Sequence, residues 1–438
     1  MKNPENRHYS LICPLCGLRQ ADDGLMLSCA LDHAPALLQT EYAERDFGPD
    51  PEVDGIFRYR SWLPVTRTFP GAERTNVFRS DGLCRFLGAP GLRIAFNGYW
   101  PEAGSFMETG TFKELEAYTV LGRIPEEPTT LVVASAGNTA AAFAAVCSRY
   151  GVPCLLIIPE SGLGRLKLRG PLHPQVRLVV VEDADYSDAI SLSEEVAKWP
   201  GFTLEGGVRN VARRDGLGTV MYAAFEEMGR LPEYYFQAVG SAAGAIAVHE
   251  AAKRIRQATS SPLGLPCLLL SQNAAFAPIY QAWQGRAQNP YPVWEESGAG
   301  QEDVFADELL NRRPPYGVRA GVSDVLIESG GSVVTVDSEA ASAAREVFRD
   351  LESIDLEPAA AVAAASLFSA ITKGMIPRES SILLNVTGGG RSRLAQDFDL
   401  QQADPNLRVR MDGSRDEALD AIRELFSDSR SCGMRSSL

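Results

Sequence analysis

No run of apolar residues in this sequence of 438 residues approaches the roughly 20 that a membrane-spanning helix requires. The amino-terminal stretch MKNPENRHYSLICPLCG also lacks the apolar core of a secretory signal peptide. Cysteine is scarce, with eight residues in the whole chain, which argues against a disulfide scaffold. We therefore expect a cytoplasmic protein that does not cross a membrane.

Basic residues are fewer than acidic ones: the chain contains 42 Lys and Arg and 56 Asp and Glu, which gives a formal net charge of −14. Such a surface repels nucleic acids and anionic membranes, and no long basic run offsets it. Small-molecule partners are therefore expected instead of nucleic acid or a membrane. With 45% hydrophobic residues, the chain is long enough for two globular domains.

The amino-terminal segment contains three cysteines and a histidine in the spacing C-x2-C-x12-C-x3-H. The residues are Cys13, Cys16, Cys29 and His33. Three thiolates and one imidazole suit a tetrahedral Zn²⁺ in a ribbon of short, turn-rich segments. Two alternatives stay open: a ribbon that folds without metal, and a chance pairing of cysteines, since the second half lacks the usual Cys-x2-Cys.

From residue 130 onward, short apolar segments alternate with segments of helical periodicity. The segments that have the character of buried strands are 130–135, 154–159, 176–182, 234–240, 267–272 and 381–390. Alanine-rich or amphipathic stretches, such as 138–151 and 358–374, lie between them. This alternation predicts parallel α/β architecture, in which ligands bind at the carboxyl ends of the strands.

Two turns of small residues join a predicted strand to a predicted helix. The first consists of Ser135, Ala136, Gly137, Asn138 and Thr139, and the second of Gly240, Ser241, Ala242, Ala243 and Gly244. Backbone N–H groups at such a turn suit an anion: a carboxylate at the first and a phosphate at the second. Each also has a structural explanation, since Asn138 could cap its helix and the second turn could serve close helix packing. The second turn matches neither a Walker loop nor a dinucleotide fingerprint, which disfavours a nucleotide-binding enzyme.

A third turn and one lysine complete the candidate site. Thr387 follows a late strand and precedes three glycines, where its hydroxyl could meet a heterocyclic nitrogen or simply end the strand. Lys113 lies among small, aromatic and apolar residues in SFMETGTFKELEAYTVLG, a costly place for an ammonium unless its charge is removed. A Schiff base with an aldehyde removes that charge. Pyridoxal phosphate (PLP) offers an aldehyde, a phosphate, a phenolic oxygen and a ring nitrogen, and it is the predicted cofactor.

The order of these motifs resembles the fold-type II PLP enzymes, and the threonine synthase family in particular. The resemblance covers most of the chain, with a cysteine-rich amino-terminal segment and the motifs LPV (63–65), GTFK (110–113), SAGNT (135–139) and EPAAA (357–361). It implies a tryptophan synthase β-like α/β fold of two open parallel-sheet domains with the cofactor between them, plus a small zinc-ribbon-like segment. The implied boundaries are 1–45 for this segment, 46–98 with 206–438 for the large PLP domain, and 99–205 for the smaller α/β domain.

The resemblance also implies roles for individual residues. Lys113 is expected to bind the cofactor's aldehyde, Asn138 its 3′-oxygen, the 240–244 turn its phosphate and Thr387 its ring nitrogen. The 135–139 turn is expected to hold the substrate's carboxylate, and Arg391 is a candidate for binding the other anionic groups. Further candidates, each of which could equally be a solvated surface residue, are Arg165, Lys167, Arg209, Arg213 and Arg214.

The form METGTFKELEAY departs from the Ser-Phe-Lys-Asp-Arg of threonine synthases and is similar to that of the cysteate synthase family of methanogenic archaea. That family replaces the phosphate of O-phospho-L-serine by sulfite, giving L-cysteate for coenzyme M biosynthesis. We expect a PLP-dependent enzyme of this kind and, by analogy, a homo-oligomer. The alternatives are a threonine synthase acting on O-phospho-L-homoserine and a non-catalytic PLP-fold protein that binds an amino acid.

Overall fold

The computed structural model of the chain describes residues 7–126, 129–135, 137–259, 264–286, 304–411 and 415–432. Over these residues the chain forms two compact units. The first comprises Met1–Ile124 and Gly207–Asp397, and the second comprises Pro125–Gly206 and Phe398–Leu438. No helix within the described ranges combines the length and the apolar character needed to cross a membrane.

The strands are numbered in chain order. They are β1 (Tyr9–Ile12), β2 (Arg19–Gln20), β3 (Gln39–Tyr42), β4 (Asn76–Phe78), β5 (Leu92–Phe96), β6 (Tyr99–Trp100), β7 (Ser105–Phe106), β8 (Thr130–Ala134), β9 (Cys154–Pro159), β10 (Lys167–Leu168), β11 (Val176–Glu182), β12 (Phe202–Leu204), β13 (Tyr234–Ala238), β14 (Cys267–Asn273), β15 (Ser332–Val336), β16 (Ile382–Val386), β17 (Gln401–Gln402) and β18 (Leu407–Arg410).

The α-helices are numbered in the same way. They are α1 (Asp81–Leu87), α2 (Lys113–Arg123), α3 (Asn138–Tyr150), α4 (Tyr186–Val196), α5 (Val211–Met228), α6 (Ala243–Thr259), α7 (Pro278–Gly285), α8 (Val322–Ser329), α9 (Ser338–Glu352), α10 (Pro358–Thr372), α11 (Arg391–Asp397) and α12 (Arg415–Cys432).

A six-stranded sheet in the order β15-β14-β13-β16-β5-β4 forms the centre of the first unit. Neighbouring strands are parallel except β4, which pairs antiparallel with β5. The residues of β16 are all buried, as expected of a central strand that is covered on both faces. Because β13 and β16 are adjacent and parallel, the predicted turns 240–244 and 387–390 leave the sheet at the same edge.

Helix α10 covers this sheet and packs against β13, β14, β15 and β16. Its sequence PAAAVAAASLFSAIT is rich in alanine, which is both the best helix former and small enough for close approach to the strands. Its apolar residues belong to a continuous core with those of β5, β16 and α9. The core therefore supports the edge of the sheet from which the candidate turns emerge.

The amino-terminal segment forms a small antiparallel sheet in the order β2-β1-β3. Asp22, which follows β2, forms a completely buried ion pair with Arg123 at the end of α2. Nη2 and Nε of Arg123 lie 2.8 and 2.9 Å from the two oxygens of Asp22. This pair fixes the segment to the rest of the first unit.

The second unit contains a five-stranded parallel sheet in the order β12-β8-β9-β11-β18. Its central strand β9, CLLIIP, is buried at every position. Apolar residues of α4 and α12 pack with those of β8, β9 and β11 in a core of their own. The turn after β8 leads directly into α3.

Each of the six segments predicted as strands contains a strand, and each of these strands is parallel to its neighbours. The predicted parallel α/β architecture is therefore confirmed. The domain boundaries differ from the predicted ones. Residues 99–124 belong to the first unit, because α2 packs on α5, and residues from Phe398 belong to the second unit, because β18 extends the sheet beside β11.

Candidate active site

Lys113 begins helix α2 beside the glycine-rich turn that follows β16. The main-chain N–H of Phe112 donates to the carbonyl oxygen of Thr387 at 2.9 Å, and the N–H of Gly389 donates to the carbonyl oxygen of Gly110 at 3.0 Å. An antiparallel backbone pairing therefore holds the GTFK segment against the Thr-Gly-Gly-Gly turn. Two residues far apart in sequence, Lys113 and Thr387, are brought together by this pairing.

The amine of Lys113 faces a carboxylate and an aromatic ring. Its Nζ lies 3.3 Å from Oε2 of Glu116 and 5.0 Å from the centre of the Phe112 ring. Glu116 is completely buried, and its Oε1 lies 2.9 Å from Nη1 of Arg213 on α5. The side chain of Lys113 keeps 20% of its surface exposed. The amine is thus charge-compensated, and the side chain that carries it is partly exposed.

The predicted phosphate-binding turn lies between β13 and α6. Ala242 has a φ of 58°, a left-handed conformation that is rare outside glycine and that concentrates at ligand-binding turns. Gly244 has no space for a side chain, since a Cβ there would lie 2.8 Å from Nε2 of Gln237 and 3.0 Å from the ring of Phe112. The first N–H groups of α6 lack carbonyl partners within the helix and therefore suit a phosphate.

Phe112 connects three predicted elements of the site, and sequence analysis gave it no role. Its main-chain N–H binds Thr387, its ring lies beside the Lys113 amine, and the ring edge lies against Gly244 at the start of α6. The ring is a rigid spacer between the amine and the predicted phosphate-binding turn. The clue in the sequence to a role for Phe112 was its position directly before Lys113.

A buried polar network lies among the central strands of the first unit and was also missed. Nδ2 of Asn385 donates to the hydroxyl of Tyr235 at 2.7 Å, and Nδ2 of Asn97 donates to Oδ1 of Asn385 at 2.8 Å. The Tyr235 hydroxyl donates in turn to Oε1 of Gln237 at 2.5 Å. Burial raises the pKa of Tyr235 far above its usual range, so the network stays neutral. The signal in the sequence was a lone asparagine in the apolar strand ILLNV.

Arg391, a predicted substrate-binding residue, forms an ion pair with Glu357, the first residue of the EPAAA motif. The N–H of Glu357 donates to the carbonyl oxygen of Gly388 at 3.0 Å, so this motif lies directly against the Thr387 turn. Side chains of Arg391 and Glu357 are 30% and 10% exposed. Arg391 therefore lies at the site with a carboxylate partner, and its role in binding substrate stays a prediction.

Arg213 and Arg214 are adjacent on α5 but have different environments. Arg213 pairs with Glu116 beside Lys113, whereas Arg214 lies 3.1 Å from Glu250 and also donates to the carbonyl oxygen of Leu38 in the amino-terminal segment. Their side chains are only 8% and 1% exposed. The explanation as solvated surface arginines is therefore wrong for both, and Arg214 has a structural role.

The 135–139 turn lies in the second unit, at the start of α3; Ala136 is outside the described residues. Oγ of Ser135 accepts from the N–H groups of Gly137 and Ala140, both at 3.1 Å. The explanation that Asn138 caps the helix is wrong, because the cap position is Gly137, and the side-chain oxygen that accepts from the first turn of the helix is that of Ser135. Asn138 and Thr139 are instead the first two residues of α3.

Gly137 lies at the start of α3 with a backbone conformation that other residues rarely adopt, and an arginine of the same unit lies against it. Its φ is 154°, and a Cβ there would lie 2.4 Å from Cδ and 3.1 Å from Nη1 of Arg165. Arg165 ends the 3-10 helix Glu160–Arg165 that follows β9. A guanidinium therefore lies at the amino terminus of α3, where the helix dipole also favours an anion.

The residues of the first unit fit PLP by their chemistry. Lys113 provides an accessible amine, the start of α6 provides N–H groups for a phosphate, and Thr387 provides a hydroxyl in a residue that is 8% exposed. Oγ1 of Thr111 is buried and has no hydrogen-bond partner among the described residues, as expected of a group that a bound ligand satisfies.

The predicted metal ligands Cys13, Cys16, Cys29 and His33 come together in the amino-terminal segment. Their ligand atoms all lie within 4.8 Å of one another. Burial raises the pKa of the Cys13 thiol, but hydrogen bonds from the main chain of Cys16 and Leu15 outweigh it and bring the pKa to about 7. Nδ1 of His33 lies 2.7 Å from the carbonyl oxygen of Ala34, which turns Nε2 toward Cys13 at 3.4 Å. This donor set and geometry suit Zn²⁺.

Comparison with known proteins identifies the family. Residues 74–388 match the family described as pyridoxal-phosphate dependent enzymes. The chain is 44% identical over 419 residues to a cysteate synthase of Methanoculleus marisnigri, covering 95% of this chain and 96% of the relative. It is 44% identical over 416 residues to a cysteate synthase of Methanosphaerula palustris, covering 93% and 96%.

Solved structures show the same fold at much lower sequence identity. Serine racemase of maize has a TM-score of 0.55 at 18% identity, with 74% of this chain and 91% of that chain covered. A fungal L-serine ammonia-lyase of Rhizomucor miehei has a TM-score of 0.56 at 13% identity, with 74% and 96% covered. The predicted fold-type II architecture is confirmed. The chain belongs to the cysteate synthase family of PLP-dependent enzymes.

Proposed function

We propose that this enzyme converts O-phospho-L-serine and sulfite into L-cysteate and phosphate by PLP-dependent replacement at the β-carbon. One carbon–oxygen bond to phosphate breaks and one carbon–sulfur bond to sulfite forms, so the reaction is balanced without an oxidant or reductant. The relatives named cysteate synthase, which match nearly the whole chain, support this proposal. The observation in the structure that carries it is the pairing of the Lys113 segment with the Thr387 turn.

Lys113 is the proposed binder of the cofactor and the proposed base. Bound PLP supplies an aldehyde that condenses with amines and a ring that withdraws electrons from the substrate's α-carbon. The amine of Lys113 holds the cofactor before substrate arrives, and once released it removes the proton from the α-carbon and later returns it. Its partial exposure beside Glu116 allows both the attachment and the release.

Thr387 and the 240–244 turn are the proposed fixed contacts of the cofactor. The hydroxyl of Thr387 is neutral, so at the ring nitrogen it does not enforce a positive charge as an aspartate would. A neutral partner at the ring nitrogen favours elimination of the β-substituent over transamination. The amino terminus of α6, with small side chains at Ser241, Ala242 and Ala243, allows N–H groups to approach the phosphate.

The start of α3 is the proposed binding element for the substrate's carboxylate. An anion there gains a few tenths to about 1 kcal/mol from the helix dipole at an exposed site. Arg165, which lies over Gly137, is the arginine of the second unit best placed to add a forked pair of donors. Asn138, the first residue of α3, remains the proposed partner of the cofactor's 3′-oxygen.

The cysteine and histidine cluster is the proposed site of one structural Zn²⁺. It holds together a segment whose sheet has strands of only two to four residues, too short to be stable without further support. The expectations of a homo-oligomer and of a cytoplasmic location stay predictions.

Product analysis tests the proposed reaction. The PLP-loaded protein is incubated with O-phospho-L-serine with and without sulfite, and in parallel with O-phospho-L-homoserine; phosphate and amino acid products are quantified. We expect one cysteate per phosphate released from phosphoserine in the presence of sulfite. Threonine from phosphohomoserine, with no cysteate from phosphoserine, would establish a threonine synthase instead. Absence of any product with a colourless, PLP-free protein would favour the amino-acid binder.

A further inference from the structure

Glu116 is a buried carboxylate shared by two cations at the candidate site. Its Oε2 lies 3.3 Å from Nζ of Lys113 and its Oε1 lies 2.9 Å from Nη1 of Arg213. We propose that Glu116, balanced by Arg213, controls how readily the amine of Lys113 takes up and gives up its proton. Both are then positioning residues, acting on the reaction through the lysine.

The three groups are placed by two packed helices. Glu116 lies three residues after Lys113 on α2, and side chains at this spacing lie on the same face of a helix. Arg213 comes from the first turn of α5, which packs along α2. None of the surface of the Glu116 side chain and only 8% of that of Arg213 is exposed. A carboxylate that is buried away from solvent needs partners that compensate its charge. In Glu116, one oxygen lies beside Lys113 and the other beside Arg213.

The two cations differ in one respect that matters for catalysis. Lys113 loses its positive charge when it binds an aldehyde or acts as a base, whereas a guanidinium stays charged at every working pH. Arg213 therefore leaves Glu116 with a counter-charge when that of Lys113 disappears. The carboxylate of Glu116 therefore has a cation beside it at each stage, and it lies next to the ammonium each time the lysine accepts a proton.

Other charged groups near Lys113 have partners that turn them toward different contacts. Glu114 accepts from Thr109, Arg214 pairs with Glu250, Asp215 accepts from Tyr42, and Arg391 pairs with Glu357. They lie on the same helix as Lys113, on the packed helix α5 and beside the Thr387 turn. Glu116 contacts the amine of Lys113 directly, and Arg213 contacts Glu116.

Opposite effects are expected from removing the two charges. An adjacent carboxylate stabilises the ammonium, so Glu116→Gln makes the amine lose its proton at lower pH. Arg213→Met removes a cation that shares the same carboxylate and has the reverse effect. A change of one pH unit in the midpoint corresponds to a tenfold change in the uncharged fraction well below it. The double variant should lie close to the wild type.

Site-resolved labelling of the full-length, cofactor-free protein tests this. Trace acetic anhydride, which reacts with uncharged amines, is applied across a pH series, and peptide mass spectrometry gives the labelling rate at Lys113. The exposed Lys373 in the same sample is the internal reference. At a fixed pH below the midpoint, Glu116→Gln should label Lys113 about tenfold faster and Arg213→Met several-fold slower. The midpoint separates proton control from accessibility, because accessibility alters the plateau only.

Unchanged midpoints, or midpoints that move in the same direction in both single variants, would overturn the proposal and leave a structural role for Glu116. If Glu116→Gln does not fold, the test depends on Arg213→Met: a labelling midpoint of Lys113 that is unchanged or lowered in this variant refutes the proposal. The inference rests on the proposed role of Lys113, but the labelling involves neither PLP nor substrate. Its failure is therefore distinguishable from failure of the proposed function, which the product analysis measures.

Discussion

The carbonyl oxygen of Thr387 accepts a hydrogen bond of 2.9 Å from the main-chain N–H of Phe112. This bond attaches the residue before Lys113 to the turn that ends the central strand β16. The close approach of the two segments requires glycine in the turn, since a Cβ on Gly388 would lie 3.0 Å from the carbonyl oxygen of Gly110. The lysine is thereby fixed to the sheet, and its amine lies 3.3 Å from Oε2 of Glu116.

Phe112→Leu should weaken the retention of PLP about tenfold, because the ring contacts both the Lys113 amine and the start of α6. Aromatic and cation–π contacts of this kind contribute about 0.5–1.5 kcal/mol each, and 1.4 kcal/mol is a factor of ten. Absorbance titration of the cofactor-free protein with PLP measures this. The matched control is Phe348→Leu in the core under α9, which should lower stability without changing PLP affinity. Equal affinities of Phe112→Leu and wild type would show that Phe112 has no such role.

Purified protein should contain one zinc ion per chain, and Cys16→Ser should abolish that content. Loss of a ligand opens the tetrahedral site and with it the short sheet β2-β1-β3. Metal analysis by mass spectrometry, combined with limited proteolysis of the amino-terminal segment, provides the measurement. Cys267→Ser, outside the cluster and only partly buried, is the control and should keep its zinc. Full metal content in Cys16→Ser would contradict the assigned ligands.

Ser135→Ala should destabilise the second unit by about 1 kcal/mol, the typical cost of losing a helix-capping oxygen. The lost oxygen accepts from the N–H groups of Gly137 and Ala140. Urea unfolding followed by circular dichroism measures the change. Ser135→Thr keeps the oxygen and should recover most of the stability. If Ser135→Ala unfolds like the wild type, the hydroxyl of Ser135 does not stabilise the start of α3.

Asp22→Asn should lower the free energy of unfolding by about 3–5 kcal/mol, because it leaves the guanidinium of Arg123 buried without its counter-charge. Burial raises the pKa of Asp22, but the hydrogen bonds and charge of Arg123 outweigh it and hold the pKa below its usual range. The ion pair therefore stabilises the fold above the unfolded-state pKa, near 4, and this contribution is lost as pH falls through the lower folded-state pKa.

Urea unfolding of the wild type and Asp22→Asn at pH 7, 5 and 3 follows this contribution. The difference between the two proteins should be largest at pH 7 and 5 and smaller at pH 3. The control Glu195→Gln removes an exposed ion pair with Lys198 and should change stability by less than about 1 kcal/mol. A difference between wild type and Asp22→Asn that grows toward pH 3 would contradict the assignment.

Local patterns carried the prediction of the strands and the turns. Segments such as CLLIIP and ILLNV form buried parallel strands. Short, continuous apolar runs of this length are typical of strands that are buried on both faces. The strands β5, β15 and β18 were missed, since polar or charged residues interrupt the apolar runs of LRIAF, SVVTV and LRVR and no turn motif marks them. The edge from which the turns of 240–244 and 387–390 emerge follows from the parallel order of β13 and β16.

Pairing of charges could not be predicted in the same way. Arg213 and Arg214 are neighbours in the sequence, yet one faces Glu116 and the other Glu250, because successive residues of a helix point to different sides. Which side meets α2 depends on how the two helices pack, and no local pattern encodes that. The capping oxygen of Ser135 was missed for a related reason, since the 135–139 turn offers two side chains, Ser135 and Asn138, that could cap the same helix.

The most direct measurement of the central claim is reduction of the PLP-loaded enzyme with borohydride, followed by peptide mass spectrometry. We expect a pyridoxyl phosphate tag on the peptide that contains Lys113, and none in Lys113→Ala, which should fold but stay colourless. A tag on a different peptide of the wild type, or no tag at all, would contradict it.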